Sequence, residues 1–225
     1  MVLLPALKAE DLPDIFPVFP LGEALLLPHG RLPLNIFEPR YVAMLEDALA
    51  QGRYFGMVQP DKRLTTGKTG PGLYRIGCLG RITAFEETDD GRYLVTLRGV
   101  SRFTIVEELA EHRGYRRVRA GLSGFSDDLS PLEMPVLPFP RQILLDALRR
   151  YFSAAGIEAN WTHIDQMEDP TLLTSLCVAC PFTIEEKQAL LEARTPAIRA
   201  EVLHTLLEIH AFSGGPRTPP ESSIN

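Results

Sequence analysis

Within LPLNIFEPRY, residues 32–41, four side chains capable of chemistry fall inside seven positions: Asn35, Glu38, Arg40 and Tyr41. A carboxylate, a guanidinium and a phenol held together could run acid–base chemistry or orient a bound group. The same stretch also has the grammar of a structural junction. Leu32, Leu34, Ile36 and Phe37 read as the end of a strand, with Phe37 as a buried ring. Pro39 then supplies the fixed φ and missing N–H that suit a first helical turn, and Glu38 sets a negative charge beside the positive helix start. Tyr41 is expected on the buried face of that helix. Arg40 is left as the side chain free to contact a partner.

The other clusters with chemical potential fail on their surroundings. TTGKTGPG (65–72) has part of a phosphate loop, but the first glycine position is occupied by Lys62, and Gly70-Pro71-Gly72 cannot open the helix that such a loop needs. GLSGF (121–125) approaches the nucleophile elbow Gly-x-Ser-x-Gly, with the second glycine one place early. Cys177 and Cys180 make C-x-x-C, a spacing shared by redox dithiols and half zinc sites. No second ligand pair accompanies them, and they sit late in an apolar helix instead of opening one after a strand. They read as two small buried residues. No metal motif, dinucleotide fingerprint or paired-carboxylate site is present, and no cofactor is expected.

Arg113, Arg116, Arg117 and Arg119 concentrate charge on one short segment. They could form a nucleic-acid patch, or they could guard an edge strand against pairing with other chains. Only Tyr115 accompanies them as an aromatic, which favours the guarded edge.

These residues need a scaffold, and the composition supplies an ordinary globular one. The 225 residues are 45% hydrophobic, ample for a core, and the net charge of −6 argues against a mainly electrostatic attachment to nucleic acid or anionic lipid. The N-terminus lacks the basic region of a signal peptide, no apolar run is long enough to span a membrane, and three cysteines do not make a disulfide framework. A soluble cytoplasmic protein is expected.

From residue 16 to about 122 the texture is β. FPVFPL and EALLLP, cut by Pro17, Pro20 and Pro28, suit edge strands and strand ends. YFGMVQ (54–59) is a further short strand, and GLYRIGCLGRITAFEE (72–87) is a long one that Gly77 and Gly80 should bend. Asp89, Asp90 and Gly91 make a turn into RYLVTLRGVSRFTIVEE, and YRRVRAGL (115–122) closes the series. Short, bent, glycine-punctuated strands point to a small barrel or a coiled sheet, not a flat one. One helix interrupts them, with Tyr41, Val42, Leu45, Ala48 and Leu49 at helical spacing and Gly52 beyond its end.

After the Pro- and Ser-rich loop 124–140 the pattern becomes helical. Ile143, Leu144, Ala147, Leu148, Tyr151, Phe152 and Ala155 form one stripe, and Asp169-Pro170, Thr183 with Glu186, and Thr195-Pro196 mark three further helix starts. The polar, proline-rich end should be a disordered tail.

Taken in order, P-L-N-I-F-E-P-R-Y (33–41), I-G-C-L-G-R-I (76–82) and L-R-G-V-S-R-F (97–103) closely resemble the N-terminal substrate-binding domain of Lon proteases. The likeness is strong over 16–122 and extends, through EKQALLEA, to about residue 210. It implies an α+β chain: a PUA-like β pseudobarrel with one inserted helix (1–123), a linker (124–140), a small α-helical bundle (141–212) and the tail (213–225), as in stand-alone bacterial Lon-domain proteins. In complete Lon enzymes this region helps recruit unfolded or tagged polypeptides, while separate modules hydrolyse ATP and cut peptide bonds. Neither module is encoded in these residues, so no enzymatic activity is expected.

The resemblance therefore implies a protein-binding module, an adaptor or chaperone-like recogniser of exposed polypeptide or of a specific protein partner. Such recognition needs an apolar groove or an open strand edge. It is expected at the strand–helix junction and barrel rim, around Phe37, Arg40, Tyr41, Met57 and Arg98, although Phe37, Tyr41 and Met57 also suit core packing. The alternative is RNA binding of the PUA type through Arg113, Arg116, Arg117 and Arg119.

Overall fold

The computed structural model describes residues 8–22, 24–67, 70–130 and 139–213. The chain divides into two compact units, Met1–Glu133 and Met134–Asn225. The expected tail falls almost wholly outside the described residues, as do residues 131–138 of the expected linker.

The first unit holds six strands and one helix: β1 (Ile15–Pro20), β2 (Arg31–Ile36), α1 (Pro39–Ala50), β3 (Tyr54–Val58), β4 (Ile76–Glu87), β5 (Tyr93–His112) and β6 (Tyr115–Gly121). β5 pairs with β4, β4 with β3, β3 with β1, β1 with β6, and β6 returns to β5, so five strands close on themselves. β5 is long enough to serve two neighbours along one edge. Its first half, Tyr93–Arg98, pairs with β2, and its second half, from Thr104 onward, pairs with β6. Among the described residues β2 is therefore an appendage to the barrel with one side unpaired.

The barrel core is built on Phe103, fully buried and in edge-on contact with Phe16 at 5.0 Å between centroids. Val18, Val58, Leu79 and Val118 pack around this pair. The bend that Gly77 and Gly80 announced is present as a register shift between Leu79 and Gly80. A Cβ on Gly77 would lie 2.5 Å from the Phe103 ring, and one on Gly99 would lie 2.0 Å from the Leu27 carbonyl oxygen. Both positions thus require glycine for close approach.

Several expectations are corrected here. EALLLP is not a strand; Leu25, Leu26 and Leu27 are buried as irregular chain that presses its backbone onto Gly99. β1 is not an edge strand either, since it lies between β3 and β6. Its prolines are tolerated because the β3 pairing begins only at Val18 and the β6 pairing ends there, leaving Pro17 and Pro20 each with one open side. β6 is likewise paired on both sides, so its arginines guard no edge. Phe37 lies just past the end of β2 and is 60% exposed, because the chain turns into α1 before its ring can point inward.

The junction otherwise forms as its residues dictate. Pro39 is the first residue of α1 and Glu38 caps it in an extended conformation. Tyr41, Met44, Leu45 and Ala48 form the buried face, and Gly52, at φ +92°, follows the helix end. The segment Ser123–Leu129 is held on the barrel by a buried ion pair. Asp128 accepts from the Arg102 backbone N–H at 2.9 Å, from Nε at 2.8 Å and from Nη2 at 2.8 Å.

The second unit is helical: α2 (Arg141–Ala155), α3 (Trp161–Gln166), α4 (Asp169–Ala179), α5 (Ile184–Glu192) and α6 (Pro196–Phe212). The Thr183–Glu186 capping box forms, and the Thr195 hydroxyl caps α6. Glu168, and not Asp169, is the N-cap of α4, with Asp169-Pro170 in its first turn. The sequence pattern missed α3, a short helix capped by Asn160. On α2, Leu144, Ala147, Leu148 and Tyr151 are buried, whereas Ile143 is half exposed and Leu145 is buried in addition.

No helix among the described residues is long and apolar enough to cross a membrane.

Candidate functional site

The unpaired side of β2 has a definite chemistry, which follows from its register. The Gly99 N–H donates to the Gly30 carbonyl at 2.9 Å. In an antiparallel ladder, bonded and non-bonded pairs alternate. Gly30 and Gly99 lie one step beyond the Arg31–Arg98 pair, so Leu32–Leu97, Leu34–Val95 and Ile36–Tyr93 are bonded, while Arg31–Arg98, Pro33–Thr96 and Asn35–Leu94 are not. Arg31, Pro33 and Asn35 therefore turn their backbone groups away from β5. The open edge offers two N–H donors, from Arg31 and Asn35, and three carbonyl acceptors. Pro33 costs the ladder nothing, because its missing N–H falls on the unpaired side.

Beside this edge runs a groove of about 510 Å³. Residues Leu32 to Ile36 form one wall in unbroken succession, as expected when a groove follows a strand edge and not one of its faces. Phe19, Pro20 and Leu21 at the end of β1 lie along it, and the start of α1 contributes Arg40 and Tyr41. The β5–β6 hairpin closes it with Gly114, Tyr115 and Arg116. Phe19 and Tyr41 lie 4.2 Å apart between centroids with their rings tilted by 38°, and both are almost wholly buried, so they make a rigid apolar floor. Phe37 stands at the mouth, its exposed ring 5.6 Å from the Arg92 guanidinium.

Polar groups are few and fixed. Arg40 donates through Nε and Nη2 to Glu38 at 3.0 and 2.8 Å, and its guanidinium lies 4.7 Å from the Tyr41 ring centroid. Burial raises the Tyr41 phenol above its ordinary value, against the opposing effect of Arg40, so it stays neutral. The hairpin wall is tied to α1: the Tyr115 hydroxyl donates to Asp47 at 2.7 Å, and Arg113 donates to Asp47 at 2.7 Å and to Glu46 at 2.8 Å. Arg113 and Gly114, with φ of +48° and +83°, make the two-residue turn that brings this wall over Arg40.

Of the side chains expected from the sequence, the groove brings together Phe37, Arg40 and Tyr41. Met57 is buried within β3, and Arg98 stands exposed on the outer face of β5; neither lines the groove. Phe19 and the hairpin wall were missed, although Arg113-Gly114 between two β segments was a readable turn signal. The second arginine cluster is not a free basic strip. Arg113 is paired as above. Arg116 is buried and donates to Glu108 at 2.6 Å and to the Pro71 carbonyl at 2.7 Å, and Arg119 lies 3.3 Å from Asp14 and 3.7 Å from Glu107. Arg117 donates to the Ala110 carbonyl at 3.3 Å.

The remaining motifs carry no chemistry that the geometry supports. Cys177 and Cys180 are buried, and burial pushes both thiols up to about 12, far from a reactive thiolate. No group of three His, Cys, Asp or Glu side chains among the described residues could hold a metal ion. The segment after Gly72 leads into β4, a strand, so a phosphate loop has no helix to open.

Comparison with known proteins agrees with this architecture. The family described as the ATP-dependent protease La (LON) substrate-binding domain matches residues 15–208. Lon protease 2 of Myxococcus xanthus is 25% identical over 207 residues, which cover 89% of this chain and 24% of that protein. The Lon protease of Azospirillum brasilense is 25% identical over 199 residues, 86% of this chain and 24% of that one. The chain thus spans about a quarter of the length of these relatives. Among solved structures, a Lon N-terminal domain protein from Xanthomonas campestris superposes with a TM-score of 0.57 at 22% identity, covering 85% of this chain and 97% of that one. The N-terminal domain of the Mycobacterium avium complex Lon protease gives 0.59 at 17% identity, covering 87% and 99%.

Proposed function

Because the chain belongs to the Lon substrate-binding domain family, we propose that it is a polypeptide-binding module without catalysis of its own, which takes up an extended segment along the open edge of β2. The matched family is the substrate-binding part of Lon, not its ATPase or protease part. In that role the protein acts as an adaptor or chaperone-like recogniser of exposed chain.

The carrying observation is the coincidence of groove and edge. An extended peptide is recognised by main-chain hydrogen bonds to an unpaired strand, with alternate side chains entering pockets beside it. Here the edge supplies donors at Arg31 and Asn35 and acceptors at Arg31, Pro33 and Asn35. The floor formed by Phe19 and Tyr41 receives the side chains that point inward, and Phe37 at the mouth, otherwise an exposed apolar ring, gains a contact.

Amide hydrogen exchange tests this directly. In the free protein the amides of Leu32, Leu34 and Ile36 should be protected by β5, and those of Arg31 and Asn35 should exchange freely. Addition of a chemically unfolded model protein should slow Arg31 and Asn35 selectively. Binding that leaves the Asn35 amide unchanged would place the polypeptide elsewhere and end the strand-addition reading.

A further inference from the structure

At its Arg31 end the open edge of β2 meets a row of arginines. Arg31 on β2 pairs with Arg98 on β5, and Arg98 pairs with Arg81 on β4. Directly opposed residues of antiparallel strands point to the same face, so three guanidiniums stand side by side on the outer surface, and all three residues are exposed. Tyr54 on β3 continues the row, with its ring centroid 5.8 Å from the Arg81 guanidinium.

Among the described residues none of the three forms an ion pair, in contrast to Arg113, Arg116 and Arg119. Burial first and the charge of Arg98 second lower the His29 pKa, against the raising effect of Asp128. Like charges directly opposite each other work against a sheet. A chain with 29 acidic residues has carboxylates to spare for neutralising them, yet leaves this row open.

A strand added at the edge of β2 would lengthen the row by one place. Since Arg31 turns its backbone groups outward, the incoming residue opposite it sits at the spacing of a bonded pair, about 5.5 Å between Cα atoms, with its side chain on the same outer face. The next residue along points inward, toward the apolar groove.

We infer that the polypeptide taken up along β2 carries an aspartate or glutamate opposite Arg31, and that the row Arg31–Arg98–Arg81 selects acidic extended segments over neutral or basic ones. This rests on the strand-addition reading above. A polyanion such as single-stranded nucleic acid suits the site less well. The row is three residues wide and runs across the strands, beyond it the same face carries Pro33, Thr96 and Leu94, and the net charge of −6 repels a long anionic chain. A short acidic segment needs only the local field.

The test uses the full chain and fluorescein-labelled peptides of about nine residues, long enough to span β2. They share alternating valines and differ only in the intervening residues, which are Glu, Ser or Lys, and fluorescence anisotropy is read at low and at moderate salt. The Glu peptide should bind about fivefold or more tighter than the Ser peptide at low salt, the Lys peptide weaker than either, and the gap should narrow as salt rises. In Arg31→Gln/Arg98→Gln, both exposed changes, the ratio of Glu-peptide to Ser-peptide affinity should fall to about one; a thermal melt matching the parent shows that the variant is folded.

Equal binding of Glu and Ser peptides by the parent protein overturns the acidic selectivity and leaves the strand-addition reading standing. Failure of all three peptides to bind overturns both. A single-stranded RNA of matched charge that displaces the Glu peptide, with loss of RNA binding in the double variant, would assign the row to nucleic acid and overturn the inference.

Discussion

The ion pair Arg102–Asp128 gives the sharpest quantitative prediction. Both side chains are more than nine-tenths buried, and Asp128 accepts three hydrogen bonds from Arg102: one from its backbone N–H and two from its guanidinium. Asp128→Ala removes both acceptor oxygens, and with them all three bonds, at once. A buried backbone donor left without a partner costs roughly 1–3 kcal/mol, and a buried charge stripped of its counter-ion brings the total to about 3–5 kcal/mol. The Phe125 ring, 4.9 Å from the guanidinium, remains but cannot replace a carboxylate. For a unit of this size each kcal/mol moves the midpoint by about 3–4 °C, so a fall of roughly 10–20 °C is expected. The double change Arg102→Met/Asp128→Leu removes the charge along with its partner and should recover most of the loss. It should still stop about 1–2 kcal/mol short, because the backbone N–H stays unsatisfied. Differential scanning calorimetry of the parent and both variants measures this. A fall of under about 3 °C for Asp128→Ala, or an equal fall in the double variant, would refute the view that loss of the carboxylate beside a buried guanidinium dominates.

Three further outcomes follow from single features. Phe37→Ala, at a ring 60% exposed, should cost under about 1 kcal/mol in urea denaturation and still weaken polypeptide binding; a loss of 3 kcal/mol or more would mean a buried ring after all. The thiols of Cys177 and Cys180, pushed by burial up to about 12, should resist iodoacetamide at about pH 8 in the native protein and react once it is denatured; rapid native labelling, read by mass spectrometry, would contradict their burial. The tie between Tyr115 and Asp47 should make stability sensitive to pH on both sides. Desolvation first and the bond to Asp47 second push the Tyr115 phenol up to about 12, so its contribution is full below its ordinary value of about 10 and fades as pH rises through about 12. On Asp47 desolvation acts upward, but the hydrogen bonds from Tyr115 and Arg113 outweigh it and hold the carboxyl below its ordinary range. Its contribution is therefore present above that range and lost as pH falls through the lowered value. Tyr115→Phe should abolish the alkaline part of the stability profile, and an unchanged profile would show that the tie contributes nothing.

The glycines and prolines show how far local chemistry reaches. Pro39, Glu38 and Gly52 mark the bounds of α1 because helix ends depend on the residues at the ends themselves. The Thr183–Glu186 box and the Thr195 cap are legible for the same reason. The bend at Leu79/Gly80 and the alternation that buries Val95 and Leu97 also lie within a few residues of their causes. Prolines misled where their tolerance depends on a distant neighbour. Pro17 and Pro20 suggested an edge strand, yet β1 is interior and each proline sits where one adjacent strand has ended.

Sequence alone therefore determined the class of the two halves, the starts of α1, α5 and α6 and the bend in β4, since periodicity, caps and glycine positions are local properties. It also placed Arg40 and Tyr41 at the junction where the groove lies. Only the tertiary structure decided that β5 would share one edge between β2 and β6, and so leave β2 open. It alone turned Phe37 outward, buried Met57, neutralised Arg113, Arg116 and Arg119 with acids from elsewhere in the first unit, and lined up Arg31, Arg98 and Arg81 from three strands. Strand pairing joins residues tens of positions apart, and which charges are paired is a matter of that register, not of the order in which the residues are written.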